Sequence, residues 1–331
     1  MGTNRIYGLL QKDSIEFDHA IFTSGRGGDY RVTAMSSGIL RSEITDIEKN
    51  ALVKYYIPPD IVFVDAIRRF PLKSGRIGVS YVMEAGRDEY GRPERFRAHV
   101  ILLPADIARD IIDPRIFRAY FIKRDIFGDL NKLKINVKEL LNLIYTSHFR
   151  VKQNLKSLLN ILDEREIVAL FASIFNLKKT IIIPPEEVYV ETIEKKNFMT
   201  TMDLLSGIFY ILPSFLKLRI SYTTFAIHGE LEKGHIIFLH SLGILPKEGA
   251  IIIDMNEKVI LDERGRKREI RDKFVSQLLK IILDCIDSKD FLLLDAIISA
   301  LNNSHIILEK MSERGLRFLY NLLDNLYEMN L

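Results

Sequence analysis

The chain has 331 residues, 47% of them hydrophobic and 27% charged, which is enough apolar content for a large core and excludes a disordered chain. Basic residues number 47 and acidic residues 44, so the net charge is only +3 and does not mark the whole chain as a nucleic-acid binder. One cysteine, Cys285, excludes both an intrachain disulfide framework and a cysteine-based zinc site.

The first residues lack a charged head followed by an apolar stretch, and Ile6 breaks the myristoylation pattern after Gly2. No apolar run approaches the roughly 20 residues of a membrane span. A cytoplasmic location without membrane contact is therefore expected. Few glutamines, with abundant isoleucine, lysine and glutamate, suit a hot environment.

In chain order, residues 15–23 and 30–35 read as strands joined by the turn chemistry of Ser24-Gly25-Arg26-Gly27-Gly28-Asp29. Ser42 is the expected cap of a helix carrying Ile44, Ile47, Ala51, Leu52 and Tyr55, which Pro58-Pro59 stops. Strands follow in 63–70, 75–85 and 95–103, the last two forming a hairpin around Asp88 to Pro93. In the last strand Phe96, Ala98 and Val100 face one way, and Arg95, Arg97 and His99 the other. A helix over 105–112 ends at Pro114.

From 135 to 178 two helices are predicted, the first capped by Asn136 and the second by Asp163 with Glu166 completing a capping box. The β-branched run Thr180-Ile181-Ile182-Ile183 before Pro184 reads as a buried strand. A helix over 200–212, a strand from Leu218 to Phe225 and strands near 235–239 and 250–253 come next. The tail from 268 to 329 is helical, broken near Ser288 and Ser312. Its apolar face, with Phe291, Leu294, Ile297, Ile298 and Leu301, packs either internally or across a homodimer.

These elements give an α/β (α+β) chain of three parts. Residues 1–125 form a mostly antiparallel sheet domain with one or two helices, 126–265 an α/β middle domain, and 266–331 a helical C-terminal region.

Catalytic signatures are missing from this pattern. Neither Gly25-Arg26-Gly27-Gly28 nor Lys73-Ser74-Gly75-Arg76 leads into a helix, so both are hairpin turns rather than phosphate loops. Ser36-Ser37-Gly38 is read as a turn entering the first helix. His228, His235 and His240, with Glu230 or Glu232, leave a remote metal-dependent hydrolase reading, but their spacing matches no zinc pattern. No cofactor is expected.

Basic and aromatic residues interleave at Arg109, Arg115, Phe117, Arg118, Tyr120, Lys123 and Arg124, a mixture suited to protein hot spots or to stacking on RNA. A second basic run, Arg264-Gly265-Arg266-Lys267-Arg268, is read as solvated surface.

The N-terminal part resembles a known family. Phe22-Thr23-Ser24, the glycine loop with Arg26, Tyr30-Arg31 and Ser36-Ser37-Gly38-Ile39 precede an acidic helix. Pro71 to Arg76, Asp88-Glu89-Tyr90-Gly91-Arg92 and Ala98-His99-Val100-Ile101-Leu102 follow in order. This arrangement resembles the N-terminal domain of the prokaryotic GTPase-associated protein family. The middle region, from Leu170 to Ile183 and through Leu212-Pro213 to Arg219–Thr224, is similar to that family's middle region. It also has a weaker, fold-level likeness to DENN modules.

The resemblance spans about 18–240 and assigns no catalytic residue. It implies a non-enzymatic regulator or scaffold that associates with a small GTPase, with Arg26, Arg76 and Arg92 joining the basic-aromatic residues as candidate partner contacts. An RNA- or ribosome-associated factor is the second reading.

Overall fold

The structure is a computed structural model that describes residues 12–24, 30–51, 65–86, 96–159, 161–185, 201–226, 234–240 and 249–303. The glycine loop with Arg26, Pro58-Pro59, the hairpin tip with Arg92, His228 and its two glutamates, and the third C-terminal segment lie outside these residues.

Twelve strands form one mixed sheet among the described residues. Its antiparallel half contains β1 (Ser14–Ser24), β2 (Tyr30–Ser36), β3 (Ala66–Pro71), β4 (Ile77–Glu84) and β5 (Phe96–Leu103). The short β6 (Gly128–Leu130) and β7 (Leu133–Asn136) pair with β2 and β1. Its other half is built from β8 (Lys179–Ile183), β9 (Tyr222–Ala226), β10 (Ile236–Leu239) and β11 (Ala250–Asp254), mutually parallel, with β12 (Val259–Leu261) antiparallel at the edge. The halves join where Arg68 pairs with Thr223 and Arg69 with Tyr222. The sheet order is therefore β12-β11-β8-β10-β9-β3-β4-β5-β1-β2-β6.

The helices are α1 (Arg41–Asn50), α2 (Ala105–Ala108), α3 (Val137–Leu159), α4 (Glu164–Phe175), α5 (Thr201–Ile211), α6 (Ser214–Arg219), α7 (Lys273–Asp287) and α8 (Phe291–Asn303), with a 3-10 turn over Pro114–Tyr120. α4 packs on β8 and β11, α5 on α3, and α7 on α4 and α3. The isoleucine run of β8 is apolar on both sides because both are buried. Ile182 joins the main core, while Ile181 and Ile183 join a second cluster with Ile237, Leu239 and Ile252. No described helix is long and apolar enough to cross a membrane.

Local signals explain most boundaries. Asp163 accepts from Glu166 N at 2.8 Å and Glu166 returns a bond to Asp163 N at 2.7 Å, so the expected capping box starts α4. Asp163→Ala is expected to cost about 1 kcal/mol in urea unfolding, the usual value of a lost N-cap. Asn136 likewise accepts from Glu139 N at 3.2 Å to begin α3.

Three expectations are corrected. The helix expected over 105–112 spans only Ala105–Ala108, with Arg109 as its C-cap. Ser42 does not cap α1; the helix begins at Arg41, with Leu40 as N-cap, because the Glu43 carboxylate takes the Leu40 N–H at 2.8 Å. Leu218 lies in helix α6 rather than in a strand, since Pro213 is compatible with a helix start and the extended chain resumes only at Ile220.

The polar face of β5 is covered too. The segment after the 3-10 turn lies over it, and Arg97 donates to Asp125 at 2.7 Å and to the Lys123 carbonyl. Beneath that segment a proton relay is fixed by its ends. Ile122 N–H donates to His99 Nδ1 at 2.9 Å, so His99 Nε2 carries the proton and donates to His19 Nδ1 at 2.8 Å. His19 Nε2 then donates to the Asn131 carbonyl at 2.7 Å. Burial first, and then the neighbouring His19, push His99 down to about 3. This pair is structural glue between β1, β5 and the covering segment.

Candidate binding groove

The residues singled out from the sequence divide by burial and pairing. Arg76, just before β4, closes an ion network: Nη1 contacts Asp18 at 2.6 Å, Nε donates to Glu43 Oε1 at 2.8 Å, Nη2 contacts Glu43 Oε2, and Nη2 donates to the Gly38 carbonyl at 3.2 Å. Ser36 supports Asp18 at 2.9 Å, and Ser74 donates to Glu43. A Cβ at residue 38 would lie 2.3 Å from an Asp18 oxygen, so Gly38 is present for space. The sequence Ser36-Ser37-Gly38 is thus the floor of an internal salt bridge.

Phe117 is wholly buried and meets Phe17 edge-on at 6.0 Å. Arg115 bonds to Asp113 at 2.9 Å and to Asp203 at 2.5 Å, and Asp113 also takes Arg150. Tyr120 donates to Glu139 at 2.7 Å; burial and that carboxylate push its phenol up to about 12. Arg109 is half-buried, with a buried Nε that makes no hydrogen bond among the described residues. Arg118, Lys123 and Arg124 are exposed, followed by Phe127, itself 59% exposed. The basic-aromatic stretch is therefore part core, part ion network and part surface.

Elsewhere, His235 pairs with the Ser221 hydroxyl at 2.9 Å. No group of three or more potential metal ligands occurs among the described residues. Arg266 and Arg268 both hold Asp262, which pins the second basic run to a turn. Cys285 is buried in α7, and burial pushes its thiol up to about 11, the state of an inert core thiol. Leu294, Ile297 and Leu301 are buried, so this face of α8 packs inward.

A concavity the sequence did not announce lies beside α3. Residues Val137, Leu140, Leu141, Ile144 and Tyr145 recur at helical spacing along one face, opposite Ile15 of β1 and Ile107 of α2. The cavity measures about 210 Å³. Val137 N–H donates to the Asp13 carbonyl at 3.1 Å and fixes α3 against the start of β1. His148 Nε2 bonds the Asp110 carbonyl at 2.8 Å, which ties the other end of the groove to the turn after α2. A carbonyl only accepts, so Nε2 carries the proton. Burial pushes His148 toward the neutral form, opposed by the bond to the Asp110 carbonyl and aided by Lys217.

The polar end of the groove is acidic. Asp106 and Asp110 line it, and burial raises Asp110 above the usual carboxylate range, although Lys217 and Arg109 pull it down and Asp106 pushes it up. Tyr145, which lines the groove, is 68% exposed, and Phe149, one turn further along the same helix face, is 66% exposed. Amphipathic spacing could have found the groove's wall.

Lys217 of α6 is buried near this end, and its ammonium makes no hydrogen bond or ion pair with described residues. Burial pushes it down to about 8, with Asp110 opposing and Arg69 assisting. Because its folded value lies below the unfolded one, the unfolded chain binds more protons between about 8 and the ordinary value of 10.5, and stability rises with pH across that window. Lys217→Met is expected to stabilise the fold at neutral pH by about 1–4 kcal/mol and to flatten that rise, as measured by urea unfolding at pH 7 and 10.

Compared with known proteins, the chain matches no protein-family model, and no curated protein matches it significantly.

Proposed function

We propose that this protein is a non-enzymatic regulator or scaffold that associates with a small GTPase. The observation that carries the reading is the groove along α3. It is an apolar concavity whose lining includes the exposed Tyr145, with the exposed Phe149 one helical turn further along α3. Adjacent exposed aromatics beside a pocket are what a protein-binding hot spot requires.

The partner class comes from the resemblance of residues 18–240 to GTPase-associated proteins, carried by motifs such as Ser36-Ser37-Gly38-Ile39 and Pro71 to Arg76. Their conformational role here is consistent with a shared scaffold, since Arg76, Asp18 and Gly38 lock the first helix to the sheet. A cytoplasmic location belongs to the same proposal.

The test is capture with the tagged chain from its native lysate, identification of the captured protein by mass, and reconstitution with that purified protein loaded with GDP or a GTP analogue. A small GTPase whose binding weakens on Tyr145→Asp supports the reading. Capture of no GTPase sinks it.

A second reading rests on exposed Arg118, Lys123 and Arg124 beside Phe127, a surface suited to RNA. Affinity for single-stranded RNA that falls steeply with salt would favour it, because each phosphate contact releases counterions.

A further inference from the structure

We propose that the groove beside α3 receives a lysine or arginine side chain from the bound partner, with its hydrocarbon stem on the apolar wall and its cationic head on Asp110. This rests on the reading that this face binds a protein, and it names the chemistry of the contact.

Size is the first constraint. An apolar cavity of about 150 Å³ holds benzene, whereas pockets for drug-sized ligands run to about 300 Å³ and more. At about 210 Å³ this cavity accommodates one long side chain and not a nucleotide.

Charge is the second constraint. Two carboxylates, Asp106 and Asp110, line the cavity, and among the described residues no lysine or arginine does. The Asp110 carboxylate makes no hydrogen bond or ion pair with any described residue, although it is half-buried. His148 does not supply the charge, since it is driven neutral and spends its N–H on the Asp110 carbonyl rather than the carboxylate. The nearby cations act only at a distance: neither Lys217 nor Arg109 forms an ion pair with it.

The carboxylate is therefore partly stripped of water without a partner, a state that costs free energy until a donor arrives. An acidic ligand is repelled here, and a purely apolar one leaves the carboxylate dry and unpaired. A basic side chain satisfies both ends, because its methylene stem suits apolar surface and its head forms a charge-assisted bond. Tyr145 and Phe149 then offer aromatic faces to the residues that flank it.

The test uses the full chain with its isoleucine δ1 methyls labelled, titrated at neutral pH with n-hexylammonium, 1-hexanol or hexanoate and followed by methyl spectra. The methyls of Ile15, Ile107 and Ile144 are expected to move with hexylammonium, saturating at roughly tenfold lower concentration than with hexanol. Hexanoate is expected to move none of them. Asp110→Asn should abolish the tenfold preference and leave hexanol binding in place; its side chain holds no hydrogen bond among the described residues, so the fold is retained.

Equal affinities for the three probes, tighter hexanoate binding, shifts confined to other methyls, or no shift at all would each overturn the proposal. The probes need no GTPase. Failure here with a GTPase captured sinks the pocket's chemistry alone, and the reverse outcome sinks the choice of partner alone.

Discussion

Arg76→Met is expected to destabilise the protein by about 3–5 kcal/mol in denaturant unfolding, the range found when one partner of a buried ion cluster is removed. The reason lies in what Arg76 leaves behind. The Glu43 side chain has no solvent exposure and that of Asp18 only 9%, so Glu43 would remain buried without its counter-ion and Asp18 would keep only Lys132, at 3.9 Å. Ser74 and the Leu40 N–H would still hold Glu43, and Ser36 would hold Asp18, which keeps the cost finite.

The pH dependence fixes the sign. Burial alone would raise Glu43, but hydrogen bonds from Arg76, Ser74 and Leu40 outweigh it and hold the carboxyl below its ordinary value. That contribution to stability is complete above the unfolded carboxylate value and is lost as pH falls through the lower folded one. In Arg76→Met the folded value rises, so the acid unfolding midpoint should move to higher pH. An unchanged midpoint and unchanged unfolding free energy would show that Arg76 is dispensable to the network and free for a partner.

Phe117→Ala is expected to cost about 3–5 kcal/mol, as for other aromatic truncations in a packed core. The side chain is 0% exposed and edge-on to Phe17, and the 3-10 turn that carries it closes over the N-terminal sheet. Arg118, the next residue, faces solvent, and Arg118→Ala should stay within about 0.5 kcal/mol of the parent. The two are adjacent in a stretch that reads as one patch, so their unfolding curves separate packing from surface. Loss of partner affinity in Phe117→Ala without loss of stability would place this ring at an interface instead.

Short-range chemistry made much of the fold legible. The capping box of α4, the Asn136 cap of α3, the two hairpin pairings and the buried isoleucine strand are each written within a few residues, where propensity and hydrogen bonding act. The start of α1 was misread because Ser42 matches the cap preference, while the side chain that satisfies the Leu40 N–H is Glu43, which is oriented by Arg76 from 33 residues away. The start of β9 was misread because Leu218 continues an apolar run whose period does not separate a helical turn from a strand.

The candidate groove was less legible. Its wall is the apolar face of α3, readable as such, but its opposite side comes from Ile15 and Ile107, far away in the chain. The acidic end depends on Asp110, one of many aspartates in the sequence, and nothing local distinguishes it. Its burial and its lack of a partner are set by α2, α3 and α6 meeting there.

By itself the sequence determined the α/β class, most element boundaries and the buried state of Cys285. These rest on residue type and spacing within one or two turns of chain. Tertiary structure alone decided that the antiparallel and parallel halves share one sheet through Arg68 and Arg69. It alone sorted the basic-aromatic stretch into core, ion pairs and surface. Burial and pairing are properties of neighbours brought together by the fold, and a carboxylate or an arginine acquires its role only from them.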